Sequence, residues 1–170
     1  MKFYSNQKGF TILELLITAI VIAIMVIFLV SMLQRVSERS RDALRLTDMS
    51  NLYQAIQTTI HSKEDQEKLF YILCSQVQTP CEGNSYPLSS ETRKIDGNGW
   101  LKITFDKKSL IRYSILPLDP LNTAEHNYKY SSDGKSFTLE TKFESENFIE
   151  RMTDDGGTDP TKYELTQKLK

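Results

Sequence analysis

Glu14 is the side chain on which chemistry can most readily turn. It stands inside an apolar run, with Phe10, Ile12 and Leu13 before it and Leu15 to Leu33 after it. A carboxylate at bilayer depth is costly unless a cation meets it. Glu14 is therefore either a pairing group or a marker of the lipid–water boundary, its side chain reaching back to the interface. Periodicity does not choose between these.

The other reactive residue types are sparse. Cys74 and Cys81 lie seven apart across Thr79-Pro80. In an oxidising exterior they can close a small loop worth roughly 2–3 kcal/mol; two separate thiols are the alternative, and we favour the disulfide. The spacing fits neither a redox pair nor a zinc site, and His61 and His126 bring no companion ligands, so no metal centre is expected. Asp154, Asp155 and Asp159 match no calcium cage and read as solvated acid. Arg93-Lys94 and Lys107-Lys108 are basic pairs on loops without interleaved aromatics, so no nucleic acid is expected as a partner. There is no phosphate-binding glycine loop, nucleophile elbow or paired-histidine motif. No catalytic residue and no cofactor is expected, and the chain does not read as an enzyme.

The elements that carry these residues follow from composition. The chain has 170 residues, 21 Lys+Arg against 22 Asp+Glu, a net charge of −1 and 39% hydrophobic residues. The apolar content is concentrated: 17 of the 19 residues from Leu15 to Leu33 are apolar, with no charge, Gly or Pro. As a helix they span roughly 28 Å, the thickness of a bilayer core, where backbone amides must be satisfied internally. The run is longer than the apolar part of a secretory signal, and Ser31-Met32-Leu33-Gln34-Arg35 offers no small-residue cleavage site. A buried core helix of this length and purity is the lesser reading.

The first residues read MKFYSNQKGFTILELLITAI: a short basic leader ending in Gly9, then Phe10, then Glu14 four residues on. This closely resembles the class III signal of type IV pilins and pseudopilins. The resemblance implies that residues 1–9 are a leader peptide, cut between Gly9 and Phe10 by a prepilin peptidase that also N-methylates Phe10. It makes Glu14 the assembly glutamate and residues 10–33 the transmembrane and assembly helix. It implies as partners copies of the chain or other pilins, an inner-membrane assembly platform driven by a separate ATPase, and the lipid bilayer. The expected location is the bacterial cytoplasmic membrane, single-pass with the head outside, and then an extracellular or periplasmic filament of a type IV pilus, competence or type II secretion system. The glycine and proline that often loosen this helix in the family are absent between Phe10 and Leu33.

The physics of that signal stands beside the likeness. Gly9 lets an extended backbone enter a narrow cleft. Cutting after it turns the Phe10 nitrogen into a cation, one helical turn from Glu14. Beside another copy, Glu14 can meet the neighbour's new charge and fix the stagger between subunits. Counting Lys and Arg gives the opposite orientation, since Arg35, Arg39, Arg41 and Arg45 outnumber Lys2 and Lys8. We follow the leader signal and the cysteines. The rival reading is a non-polymerising, single-pass membrane-anchored binding or sensor module that keeps its leader.

Beyond Leu33 the pattern predicts an α+β fold, and the head over residues 34–152 resembles in architecture that of pilins and pseudopilins. One long helix runs from about Thr11 to Ile60, with Glu38/Arg41, Asp42/Arg45 and Arg45/Asp48 as solvated i, i+3 pairs. Met49, Leu52, Tyr53, Ile56 and Ile60 mark its core face. A short second helix is expected near Asp65 to Val77. Alternation then predicts two hairpins, Trp100–Phe105 with Ile111–Ile115, and Tyr128–Ser131 with Phe137–Thr141 around Asp133-Gly134, in a small antiparallel sheet. Pro117 to Asn122 reads as loop, and residues 153–170 as a flexible C-terminal tail.

Overall fold

In the computed structural model the described residues are 9–61, 81–105, 114–133 and 135–168. They form α1 (Ile12–His61), β1 (Cys81–Asn84), β2 (Lys129–Ser132), β3 (Ser136–Thr141), α2 (Glu146–Thr153) and β4 (Tyr163–Lys168). The expected helix near Asp65 to Val77 lies outside the described residues. The chain divides into two compact units, residues 1–37 and 38–170, and α1 contributes to both.

In the second unit the four strands make one antiparallel meander in the order β1-β2-β3-β4. Tyr130 faces Leu139, and Leu139 faces Leu165. Period-two patterning puts Phe137, Leu139 and Thr141 on the buried face of β3 and leaves Thr138 and Glu140 on the other. Against that face lie Met49, Leu52, Ala55, Ile56 and Ile60 of α1, the three-and-four spacing expected for its core stripe. Tyr53 is half-buried beside it, its ring 5.6 Å from that of Phe137 and its hydroxyl bonded to Gln167 of β4. The sheet is closed at one hairpin by Asp133, whose Oδ1 accepts from the Lys135 and Ser136 amides. The α+β architecture is the expected one.

The membership of the sheet differs from expectation in three places. Trp100, Leu101, Ile103 and Phe105 are buried, but they lie in none of the described strands. Their only ladder contact among the described residues is the bridge of Thr104 to Asp96, and Phe105 N donates to the Ile95 carbonyl. The alternation there reports burial in an irregular segment; Ile111 to Tyr113 lie outside the described residues. Trp100 is held by Nε1 donating to the Pro117 carbonyl at 2.9 Å. Its own carbonyl passes so close over Gly83 of β1 that a Cβ there would meet it at 1.7 Å.

The second difference is β1, a short polar strand with no apolar alternation to announce it. The third corrects the expected tail: within 153–170, residues 163–168 are β4, paired to β3 along its whole length. The Asp-Gly-Gly-Thr-Asp-Pro stretch before it is an ordered turn, because buried Glu164 reaches back and accepts from the Thr158 and Asp159 amides. Asp155 in turn accepts from the Gly157 and Glu164 amides.

Candidate functional site

At the N-terminus Thr11 is the helix cap. Its Oγ1 accepts from the Glu14 amide at 3.2 Å and its carbonyl from the Leu15 amide at 3.2 Å. Thr-x-x-Glu is the capping-box spacing, and it places Glu14 in the first turn, where the helix dipole favours an acid. This cap is a functional-site feature that sequence reasoning missed, although the spacing was there to be read.

The cap has a consequence for the expected pair. Phe10 lies before the helix, so in the uncut chain it is not one helical turn from Glu14. That relation requires the helix to grow back over residues 10 and 11. Phe10 is 80% exposed. Among the described residues, nothing lies within 4 Å of a Cβ added at Gly9. The fold itself makes no demand for glycine at this position.

Downstream, α1 is long and apolar enough to cross a membrane, and none of its most apolar window is buried within the protein. That is unlike a core helix. The two polar residues between Leu15 and Leu33 satisfy their donors within the helix: Thr18 Oγ1 donates to the Leu15 carbonyl at 2.9 Å and Ser31 Oγ to the Ile27 carbonyl at 3.0 Å. Apart from the free ends, the span carries no hydrogen-bonding group in need of water.

In the second unit the largest electrostatic feature is a buried ion-pair cluster. Arg45 is fully buried and forks onto Asp119, Nε to Oδ2 at 2.7 Å and Nη2 to Oδ1 at 3.0 Å. Its Nη1 meets Asp42 at 2.7 Å and Glu144 at 2.5 Å. Arg41 also binds Glu144. Asp42 accepts from the Ser145 amide at 2.7 Å, and Asp119 Oδ1 from the Leu121 amide at 2.9 Å. This corrects the expected solvated pairs: Asp42/Arg45 forms but is wholly buried. Arg41 turns to Glu144, and Asp48 accepts from the Tyr128 hydroxyl at 3.0 Å. One guanidinium thereby ties α1 to the loop at Asp119 and to the β3–α2 junction.

Electrostatics there have a clear sign. Burial alone would raise the Glu144 carboxyl, but hydrogen bonds from Arg41 and Arg45 overcome it and bring the pKa from 4.5 down to about 2. A carboxyl lowered by folding stabilises the fold above its unfolded value, and that stability is lost as pH falls through the folded one. The head is therefore expected to lose thermal stability between about pH 4.5 and pH 2. Trp100 fluorescence melts read this, and Glu144→Gln should flatten that part of the profile.

The remaining candidates are not gathered into a site. Cys81 is disulfide-bonded, while Cys74 lies outside the described residues, as do Lys107 and Lys108. Arg93 donates from Nε to the Leu116 carbonyl, and Lys94 pairs with Glu91. His126 Nδ1 lies 3.3 Å from the Lys142 carbonyl. Tyr128 and Tyr130 are core residues. Among the described residues no group of three or more His, Cys, Asp or Glu is arranged to hold a metal.

A family model described as the prokaryotic N-terminal methylation motif matches residues 4–30. No curated protein and no solved structure matches the chain. The match begins in the leader, contains Gly9, Phe10, the Thr11 cap and Glu14, and ends within the apolar helix. Residues 4–30 of this α+β chain thus match the prokaryotic N-terminal methylation motif, the prepilin-type signal of type IV pilins.

Proposed function

We propose that the chain is a prepilin-like structural subunit of a type IV pilus, or of a type II secretion or competence pseudopilus. The observation that carries this is the order Gly9, Phe10, Thr11 cap, Glu14 and uninterrupted apolar helix inside the matched motif. A prepilin peptidase cuts between Gly9 and Phe10 and methylates the new terminus. Gly9 lies outside the helix with open surroundings, which suits entry of an extended strand into a protease cleft. The new Phe10 ammonium gives Glu14 of an adjacent copy a partner in a low-dielectric setting. An assembly platform with its own ATPase then draws subunits from the inner membrane, and the exposed apolar face of α1 becomes interface between helices. The role is structural; its partners are pilins, the peptidase, the platform and lipid.

The head faces outward in this reading. The disulfide at Cys81 supports an oxidising side. Arg41 and Arg45, which weigh against this orientation when counted, are structural charges of the head and have that reason to stand near the span.

Mass spectrometry of the N-terminus of mature protein tests the proposal. The expected first residue is Phe10, carrying one methyl group; a chain that still begins at Met1 would leave an anchored, non-polymerising head. A second expected result separates processing from assembly. Glu14→Ala should insert and be cut as the wild type is, yet give at least about tenfold less sheared filament, the loss of one charge-assisted contact per subunit. Wild-type filament yield would count against Glu14 as the assembly residue.

A further inference from the structure

The residue that ends α1 also governs the conformation of the bond proposed for cleavage. Residues 9–11 are outside any helix, and α1 begins at Ile12. The stop is made at Thr11, whose Oγ1 accepts from the Glu14 amide at 3.2 Å. A hydroxyl in this role replaces the carbonyl that a further turn of helix would supply. The other half of the capping box is not engaged: among the described residues no hydrogen bond joins the Glu14 carboxylate back to the Thr11 amide. The cap therefore rests on the Thr11 hydroxyl.

Little else in the sequence holds the end at Ile12. No proline occurs before Leu33, and a helix once formed adds residues readily. Growth by two residues would take Phe10 and Thr11 into the first turn and make Gly9 the cap, a position that glycine tolerates. The Gly9 carbonyl would then accept from the Leu13 amide, four residues on. That carbonyl belongs to the Gly9–Phe10 bond. Tied into the helical ladder, it must be unwound before the bond can lie extended in a protease cleft. The helix end alone would say nothing of a partner. The methylation-motif match over residues 4–30 places the cap within a segment that the proposed peptidase reads.

We infer that Thr11 is a positioning residue for leader cleavage: its hydroxyl holds the start of α1 at Ile12 and keeps the Gly9–Phe10 bond outside the helix. This rests on the reading of Gly9–Phe10 as the processed bond. Thr11 touches no reacting atom; it sets the fraction of chains whose cleavage bond is accessible. The apparent KM rises as that fraction falls, whereas kcat, set by chains already in the cleft, is unchanged.

The test joins peptidase kinetics to NMR of the isotope-labelled full chain in detergent. Thr11→Val keeps the side-chain shape and removes the acceptor, whereas Thr11→Asn changes the shape and restores a strong cap. Thr11→Val is expected to lose at least about threefold in kcat/KM, through KM, and to show helical Cα shifts at Phe10. Thr11→Asn should be cut as the wild type is, with Phe10 non-helical, and the head resonances should be unchanged in both. A hydroxyl that the peptidase contacts directly would leave Thr11→Asn as slow as Thr11→Val, and that result would overturn the inference. Wild-type kinetics in Thr11→Val, a loss carried by kcat, or slow cutting with Phe10 still non-helical would overturn it as well. A wild-type chain cut at another bond, or left uncut, would remove the reading of Gly9–Phe10 and this inference together, so the two failures are told apart.

Discussion

Gly9→Val is expected to leave the chain uncut, with maturation falling by at least about 100-fold. The substitution is not expected to act through the fold, because among the described residues a Cβ at residue 9 meets nothing within 4 Å and the helix begins three residues later, at Ile12. Its whole effect falls on the encounter with the peptidase, where a β-branched side chain must enter a cleft shaped for none. A 100-fold loss corresponds to about 2.7 kcal/mol of transition-state stabilisation. Gly9→Ala, adding one methyl group, should lose less. The reading is the mass of the chain with and without residues 1–9, taken after a fixed time with active peptidase. Equal processing of Gly9→Val and wild type would show that residue 9 is not at the cleaved bond.

Arg45→Ala should lower the stability of the head by about 3–5 kcal/mol, the range for breaking a buried pair by removing one partner. For a unit of this size that is a drop of roughly 10–15 °C in melting temperature. The deletion leaves Asp42, Asp119 and Glu144 facing one another with, among the described residues, Arg41, bound to Glu144, as the remaining offsetting cation. Arg45→Lys should recover little, since a point ammonium cannot fork onto Asp119. Thermal melts of the full chain at neutral pH, read at Trp100, measure both. A loss under 1 kcal/mol for Arg45→Ala would mean that the cluster adds nothing beyond its hydrophobic surroundings.

The sequence made the signal and the helix legible because both are written in neighbouring residues. Gly9, Phe10 and Glu14 lie within six positions, and the stripe from Met49 to Ile60 repeats within one element. The hairpin of β2 and β3 was legible for the same reason: its alternation and its turn are contiguous. The Arg45 cluster was not, because an Asp and an Arg three apart look alike on a wet face and on a dry one. What buries them are Asp119 and Glu144, 74 and 99 positions further on. Likewise β4 has a modest apolar face in Tyr163 and Leu165, and its place in the sheet comes from β3 and from the Glu164 carboxylate, not from local propensity. Trp100 to Phe105 alternate as a strand would, yet among the described residues the alternation follows burial in the core, with a single bridge from Thr104 to Asp96.

The two hydroxyls bonded back onto their own carbonyls, at Thr18 and Ser31, have an effect on how newly inserted subunits behave. Such groups can stick helices together laterally in lipid, and here their donor hydrogens are already used within the helix, leaving acceptor lone pairs. In the proposed membrane setting the donors available for cohesion between helices are then few, and van der Waals fit and Glu14 carry most of it. Before the cut that acid lacks its cation, so the proposed filament draws on a dispersed reservoir whose premature clumping is discouraged by the anchors themselves.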